Sequence, residues 1–275
     1  MANKDTKRVG AKKQADIRRK LTKLTDKLIE LYSTDDTIME LMLLRGYNDI
    51  TMYEMLKEVG VFRVDTLSDI KLIAGMIDDE DYDNTFYELS GLDVQGSFIL
   101  SGRYVVPIRD IKGEVTALVG YYKDYKKYIT TSTYGFSKAG QFFNVECYKD
   151  CWERNNGVVY VVEGIYDALT LRSLGLSSLA VMGNKLEPVK QEMLKRYRKV
   201  IVIPDNDETG RATNPYGGFK DNGKVWRLPR NCCVIQLPQG IKDIDELVKG
   251  YDCIDDLKAA ESRVGLYKLQ IGIAD

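Results

Sequence analysis

The spacing of hydrophobic residues changes near residue 157. In the first part, apolar side chains recur every three or four positions, at Ile17, Leu21, Leu24, Leu28 and Leu31. This spacing produces one apolar stripe along an amphipathic helix. Residues 1–14 before it are polar and basic, so we expect them to form a flexible tail. After residue 157, short apolar runs of strand length alternate with helix-like segments. The pattern predicts a helical beginning and an α/β second part.

The first part contains further predicted helices and one predicted β-hairpin. Polar residues or glycines bound the helices, at residues 35–45, 51–59, 66–76 and 83–90. Thr51 and Glu54 have the spacing of a capping box that would begin the helix at 51. Strand character appears at residues 103–109 and 114–122, with a four-residue turn between them that ends at Gly113. Two such runs joined by a short turn predict a hairpin.

The second part has the regular alternation of a parallel sheet. We predict strands at 158–162, 178–181, 199–203 and 231–237, and helices at 165–174, 187–197 and 244–248. Strands that alternate with helices in this way form parallel sheets with right-handed crossovers. The fold class is therefore α/β, with a mostly helical, mixed N-terminal subdomain followed by a Rossmann-like parallel-sheet subdomain. Asn214–Gly218 and Asn222–Gly223 would interrupt a helix, and predict a long loop over residues 210–230.

Composition narrows the chemistry that the chain can perform. Its 275 residues include no histidine, which excludes histidine-based triads and histidine-ligated zinc. The five cysteines do not form paired CxxC units, so they indicate neither a zinc site nor a disulfide framework. A metal site would therefore depend on Asp and Glu oxygens, which favour magnesium, manganese or calcium. Neither a long apolar run nor a signal-peptide pattern is present, and we expect a soluble, cytoplasmic protein.

Charge is unevenly distributed along the chain. The formal net charge is −1, yet residues 1–30 contain ten Lys and Arg residues against four Asp and Glu residues. This basic helix has two interpretations, a solvated amphipathic helix or a face for a nucleic-acid backbone, and spacing alone favours the first. A second basic stretch contains Lys123, Lys126, Lys127 and Lys138 among tyrosines and hydroxyl residues. It is typical of a polar loop, and the alternative is a surface for phosphates.

Six carboxylates follow the predicted strands of the second part. Glu163 ends the first strand, and Asp167 follows one helical turn later; the others are Asp205, Asp207, Asp243 and Asp245. Ligands bind at the carboxyl ends of parallel strands, so these acids are expected at one edge of the sheet. Any one of them has an ordinary alternative as a turn residue or a helix cap. Six together favour a divalent metal site, because clustered carboxylates are costly without a cation.

These motifs resemble a TOPRIM domain, the fold shared by bacterial-type primases and topoisomerases. The resemblance is carried by Glu163-Gly164 with Asp167, then by the DxD pairs 205–207 and 243–245. Upstream, residues 103–113 resemble the arginine–PI–D–x–x–G hairpin of DnaG-type primases. Lys127-Tyr128 and the segment 135–140 resemble the KYLNSPET and F-x-KG motifs of the same family. The similarity covers about residues 85–249 and identifies a DnaG-type catalytic core.

The resemblance implies a role for each motif residue. Glu163, Asp205 and Asp207 would be catalytic, and all six acids would hold two or more Mg²⁺ or Mn²⁺ ions, without zinc. Lys127 and Lys138 would bind the nucleoside triphosphate or the primer. Arg103 would bind template DNA. The residues themselves agree, since metal-dependent nucleotidyl transfer needs carboxylates and phosphate-binding cations but no histidine.

The resemblance also divides the chain. We predict a basic helical region over 1–84, a mixed α/β primase subdomain over 85–156, a TOPRIM subdomain over 157–250 and a short segment over 251–275. The zinc ribbon and the helicase-binding domain of the family are missing from this pattern. A replicative helicase and a separate zinc-containing or initiation factor are therefore expected partners, along with single-stranded DNA and nucleoside triphosphates. The family's SPET stretch is replaced by residues 129–134, which keep hydroxyls but no acid.

Three functions follow from the sequence. The first is a minimal primase core, encoded by a phage or mobile element, that makes RNA primers during DNA replication in the cytoplasm or the host cytoplasm. The second is a TOPRIM nuclease, which would use the same acids for hydrolysis. The third is a non-catalytic accessory protein that binds single-stranded DNA or a helicase. The phosphate-binding lysines favour the first over the second, and the complete set of acids disfavours the third.

Overall fold

The computed structural model describes residues 2–77, 82–123, 127–183, 186–205, 220–221, 224–225, 228–234, 237 and 241–249. By its internal packing the chain divides into two units. The first contains residues 1–45 and 56–136, and the second contains residues 46–55 and 137–275. Within the described residues, no helix combines the length and the apolar character needed to cross a membrane.

Five helices lie in the first 90 residues. They are α1 (Ala2–Tyr32), α2 (Asp35–Arg45), α3 (Ile50–Val59), α4 (Leu67–Ile77) and α5 (Asn84–Ser90). The stripe predicted on α1 is confirmed at Ile17, Leu21, Leu24 and Leu28, which are buried, whereas Leu31 is exposed. Helix α1 also includes residues 2–14, which the periodicity did not predict as helical, while their flexibility stays a prediction. Alanine, lysine and glutamine there have high helix propensity.

Helix α3 begins one residue earlier than the capping-box prediction required. The side chain of Asp49 accepts hydrogen bonds from the backbone N–H and the hydroxyl of Thr51, at 2.9 and 2.6 Å. The Asp49 carbonyl also accepts the N–H of Tyr53. Asp49 therefore caps the helix and Thr51 lies inside it, so the capping-box prediction is wrong. Aspartate is among the most favourable residues for this position.

The first unit is built around an antiparallel sheet. The chain forms β1 (Phe62–Arg63), β2 (Asp93–Val94), β3 (Ser97–Phe98), β4 (Tyr104–Arg109), β5 (Val115–Tyr121) and β6 (Tyr128–Thr130). The main sheet has the order β1-β4-β5-β6, and β2 pairs with β3 separately. Val106 lies opposite Val119 in the β4–β5 pair, which confirms the predicted hairpin. Every residue of β5 is buried, and α1 packs against it.

The second unit contains the predicted parallel sheet. Its strands are β7 (Val158–Val162), β8 (Ser178–Ala180), β9 (Lys199–Val202), β10 (Lys220–Asp221), β11 (Lys224–Val225) and β12 (Cys232–Val234). Four of them form one sheet in the order β12-β9-β7-β8, with every neighbouring pair parallel. Strands β10 and β11 pair with each other. The rest of the predicted 210–230 loop lies outside the described residues, apart from 228–230.

Four helices accompany this sheet, together with two 3-10 turns at Lys138–Gly140 and Val145–Cys147. The helices are α6 (Tyr148–Arg154), α7 (Ile165–Ser173), α8 (Pro188–Leu194) and α9 (Ile244–Lys249). Phe142, Val145 and Cys151 belong to the same buried cluster as Val159 and Val200 of the sheet. Residues on both sides of the turn at 155–157 thus pack in one cluster. The four predicted segments, with their three boundaries, stay predictions.

Candidate functional site

The carboxyl ends of β7, β8 and β9 are joined by hydrogen bonds that continue past the strands. The N–H of Met182 donates to the carbonyl of Glu163 at 2.9 Å, and the N–H of Ile203 donates to the carbonyl of Val161 at 2.8 Å. Two residues further on, the N–H of Asp205 donates to the Oε1 atom of Glu163 at 3.3 Å. Glu163 and Asp205 therefore meet at the end of the sheet, as the strand-end pattern predicted.

Asp167 lies in the first turn of α7 and is 8% exposed. The pKa of its carboxyl is raised to about 7, chiefly by burial and also by the negative charges of Asp243, Asp205 and Asp245. The backbone N–H of Asp245 opposes them, because its hydrogen bond favours the ionised form. Three other predicted site acids thus act on Asp167, namely Asp205 three residues after β9, and Asp243 and Asp245 at the start of α9.

Gly164 makes the position of Asp167 possible. A Cβ atom at residue 164 would overlap the Oδ2 atom of Asp167. The backbone of Gly164 is extended, with φ −95° and ψ 151°, a conformation open to any residue. Glycine is therefore required here for space and not for backbone conformation. The Glu-Gly pair at the end of β7 supplies one acid and leaves room for a second.

The two acids of the last DxD pair have different surroundings. The side chain of Asp243 accepts the N–H of Glu246 at 2.8 Å, and Lys242 lies 3.6 Å away. Asp245 is 6% exposed. Its Oδ1 atom accepts the hydroxyls of Tyr47 at 2.6 Å and Thr170 at 3.1 Å, and its Oδ2 atom accepts the ammonium of Lys249 at 2.5 Å.

The donor set fits a hard divalent cation. Asp167 is a buried carboxylate whose neighbours carry the same charge, and all of the available ligands are oxygens, as Mg²⁺ and Mn²⁺ prefer. Asp207, the sixth predicted acid, lies outside the described residues. Across the part of the chain that the structure describes, no three acids or cysteines are close enough together to form a complete metal site.

The predicted cations belong to both units. Arg103 and Lys127 are in the first unit, while Lys138 and the acids are in the second. Arg103 is only 7% exposed, and its guanidinium lies 5.7 Å from the ring centre of Tyr122. Lys127 is exposed, with its ammonium 5.8 Å from the ring of Tyr128. Lys138 is exposed at the start of a 3-10 turn.

Sequence reasoning missed four residues near this site. Tyr47, Thr170 and Lys249 contact Asp245, and the buried Lys190 donates to the carbonyl of Val181 at 2.5 Å, just after β8. Tyr47 and Asp245 are 198 positions apart, and no local pattern relates them. Lys190 follows a proline at the first turn of a predicted helix, where a lysine is normally exposed. Only the contact of Lys249 could have been suggested by the sequence. Lys249 follows Asp245 by four residues on a helix, a spacing at which opposite charges can pair.

Comparisons with known proteins agree with this geometry. Residues 160–248 match the profile of the Toprim-like family. This region forms a TOPRIM-like domain. No curated protein matches the sequence.

Solved structures extend the likeness to nearly the whole chain. The catalytic domain of a DnaG primase bound to single-stranded DNA is 23% identical, with a TM-score of 0.67, over 92% of this chain and 80% of that chain. The primase catalytic core of E. coli is 21% identical, with a TM-score of 0.62, over 87% and 78%. The RNA polymerase domain of Mycobacterium tuberculosis DnaG with double-stranded DNA is 19% identical, with a TM-score of 0.66, over 89% and 79%. The chain therefore has the fold of DnaG primase catalytic cores.

Proposed function

We propose that this chain is a primase that makes RNA primers on single-stranded DNA by metal-dependent nucleotidyl transfer. Two observations at the end of a TOPRIM-like sheet within a DnaG-core fold carry the proposal: the hydrogen bond from Asp205 to Glu163, and the action of the Asp205 and Asp243 charges on Asp167. A fold alone does not determine an activity, so the argument rests on these acids. Their mutual repulsion is relieved when a divalent cation binds among them.

The acids have distinct roles in the proposed reaction. Glu163, Asp167, Asp205 and Asp243 would hold Mg²⁺ or Mn²⁺ together with Asp207. When bound, the ions supply Lewis acidity for the attacking 3′-hydroxyl and the triphosphate. The proposed catalytic acids are Glu163, Asp205 and Asp207. The hydrogen bond between the Asp205 N–H and the Glu163 carboxylate fixes their orientation before any ligand binds.

The cations complete the proposal. Lys127 and Lys138 are exposed, so phosphates of the nucleotide or the primer can reach both side chains. Arg103 is proposed to contact template DNA, although most of its side chain is covered. A replicative helicase and a separate zinc-containing or initiation factor are the proposed protein partners. Replication in the cytoplasm, or in the host cytoplasm for a phage protein, is the proposed setting.

The proposal is tested by primer synthesis on single-stranded templates with labelled nucleoside triphosphates and Mg²⁺ or Mn²⁺. We expect the wild-type chain to make short RNA, and Asp205→Asn to make about 100-fold less or lower still, since metal interactions contribute several kcal/mol to such transition states. Glu192→Gln is the matched control, because Glu192 is an exposed residue of α8 that pairs only with Lys195 among the described ion pairs. Its synthesis should equal that of the wild type.

Other outcomes would contradict the proposal. Primer synthesis by Asp205→Asn at the wild-type level would show that these acids are not needed for the reaction. Metal-dependent degradation of DNA or RNA, without incorporation of nucleotides, would instead assign a nuclease. Single-stranded DNA binding that is unaffected by EDTA, with no synthesis on any template, would assign a non-catalytic accessory protein.

A further inference from the structure

Asp245 differs from the other predicted metal ligands in how completely its carboxylate is engaged. Three donors contact its two oxygens, from Tyr47 and Thr170 at Oδ1 and from Lys249 at Oδ2. A carboxylate has about four lone-pair positions, so most of its capacity to accept is already used. Lys249 also places a positive charge at the oxygen that the hydroxyls leave free. A divalent ion bound there would be repelled by that ammonium.

The donors around Asp245 are themselves buried. Tyr47 is 8% exposed and Thr170 is 1% exposed, so each hydroxyl would lose its hydrogen-bond partner if Asp245 turned toward a metal. An unsatisfied buried donor costs about 1–3 kcal/mol. Lys249 is held in addition by the ring of Tyr47, whose centre lies 4.3 Å from the ammonium. These contacts favour the observed orientation of the Asp245 side chain over any that faces away from α7.

The same residue reaches the metal-binding region through its backbone. The N–H of Asp245 donates to the Oδ1 atom of Asp167 at 3.0 Å, in a buried hydrogen bond. This bond favours the ionised form of Asp167, which burial and the neighbouring acids otherwise oppose. Anything that fixes Asp245 on α9 therefore also fixes the N–H that orients Asp167.

Asp243 provides the contrast. It lies two positions earlier in the same DxD pair, and its side chain is 20% exposed. A backbone N–H is its only partner within 3 Å among the described residues, so its carboxylate keeps positions for further ligands. Asp243 also acts directly on the charge of Asp167. The two aspartates share a motif but do not share surroundings.

We infer that Asp245 is a positioning residue and not a metal ligand: with Tyr47, Thr170 and Lys249 it holds α9 so that its N–H orients the metal-binding carboxylate of Asp167. Tyr47, which lies far from Asp245 in the sequence, then helps to hold α9 in this position. The inference rests on the proposed function, because it assigns Asp167 to a metal site.

The test measures Mn²⁺ binding to the full chain, by calorimetry and by the EPR signal of free Mn²⁺, so that both the affinity and the number of bound ions are obtained. Asp243→Asn is expected to raise the Kd at least tenfold or to lose one ion. Tyr47→Phe removes a single hydroxyl, and we expect it to raise the Kd about two- to fivefold with the number of ions unchanged, as outer-shell changes do.

A double variant separates positioning from ligation. Asp245→Asn leaves Lys249 without its carboxylate, and this variant alone is expected to lose both folding stability and Mn²⁺ affinity. Adding Lys249→Met removes the unpaired cation, while the asparagine oxygen can still accept from Tyr47 and Thr170 and the N–H of residue 245 remains. We expect the double variant to regain the wild-type number of ions and to bind within about fivefold of the wild-type affinity.

Two results would overturn the inference. One is a double variant that folds but binds one ion fewer than the wild type, because a lost ligand cannot be restored by removing a lysine. The other is a Tyr47→Phe chain whose Mn²⁺ affinity equals that of the wild type. A wild-type chain that binds Mn²⁺ but makes no primers would contradict the proposed function and leave this inference standing. A wild-type chain that binds no Mn²⁺ would overturn both.

Discussion

Charged side chains of the first unit form pairs near its surface, whereas several of those in the second unit are buried at one end of a sheet. In the first unit Arg109 pairs with Asp26 at 2.8 Å, and Arg45 lies over the ring of Tyr121 at 4.9 Å. In the second unit Asp167 and Lys190 are buried, and burial is the largest influence on the pKa of both. It raises the pKa of the acid and lowers that of the lysine.

Sheet topology explains part of this difference. Parallel strands all end at the same edge, so residues that follow β7 and β9 are brought together even though they are about 40 positions apart in the sequence. Antiparallel strands end at alternate edges, so residues that follow β4 and β5 are separated and find partners nearby. Perturbed charges concentrate at functional sites in proteins generally. The comparison predicts that removing the buried charge of Lys190 stabilises the second unit, and that removing the covered charge of Arg103 destabilises the first.

The largest effect on stability is expected from Lys190→Met. Lys190 is 1% exposed. Its ammonium donates a hydrogen bond to the Val181 carbonyl at 2.5 Å and lies 5.3 Å from the centre of the Phe142 ring. Burial lowers its pKa to about 8; Glu187 opposes this shift and Lys138 adds to it. At pH 7 the variant should unfold with a free energy about 1–3 kcal/mol higher than the wild type, because the cost of burying the charge exceeds one hydrogen bond.

The pH dependence of this effect has a definite sign. Below pH 8 the lysine is charged in both the folded and unfolded states, and the full penalty is present. Between about pH 8 and 10.5 the folded state releases its proton first, so the free energy of unfolding of the wild type should rise with pH. Lys190→Met should lack this rise in urea titrations, and the exposed Lys195→Met should keep it. A variant less stable than the wild type at pH 7 would contradict the comparison.

Arg103→Ala is expected to act in the opposite direction in the first unit. Its side chain packs against Gly120 and lies over Tyr122, so truncation removes packing as well as charge. We expect a loss of about 1–3 kcal/mol in the free energy of unfolding. Lys127→Ala is the matched variant, since Lys127 is exposed and its loss should change stability by less than about 0.5 kcal/mol.

Binding measurements on the same two variants separate structural from functional roles. Lys127→Ala should weaken nucleotide or primer binding severalfold at unchanged stability, because one phosphate contact is lost. If Arg103→Ala weakens template binding while remaining as stable as the wild type, the covered position of its side chain is not needed for folding. That result would contradict the expectation that removing Arg103 destabilises the first unit.

Local patterns were sufficient to predict much of this molecule. The stripe on α1, the β4–β5 hairpin and the alternation that forms the parallel sheet all follow from periodicities that a few neighbouring residues determine. The contact between Glu163 and Asp205 followed from their places after neighbouring strands. The first turns of α1 were missed because a polar, basic run is equally typical of a tail and of a solvated helix.

Contacts between distant positions could not be predicted in the same way. Asp243 and Asp245 form one DxD pair, and the family resemblance implied the same role for both. They lie at the start of α9, close to the predicted helix, where positions two apart point in different directions. The partners of Asp245 are set by the packing of α9 on α7 and by the segment that carries Tyr47, and neither leaves a periodic signal. The burial of Lys190 likewise depends on Phe142, nearly fifty positions earlier.

The most specific effect on the site, with little effect on stability, is expected from Gly164→Ala. The backbone of Gly164 accepts any residue, so the free energy of unfolding should change by less than about 1 kcal/mol. The new Cβ would nevertheless overlap Oδ2 of Asp167 and displace that carboxylate. We expect the Mn²⁺ Kd to rise about tenfold, comparable to other displacements around metal ligands. Gly183→Ala is the control, because no described atom lies within 4 Å of its added Cβ. Equal Mn²⁺ affinities in the two alanine variants would mean that the position of Asp167 does not determine metal binding, and the acids of the second unit would lose their functional interpretation.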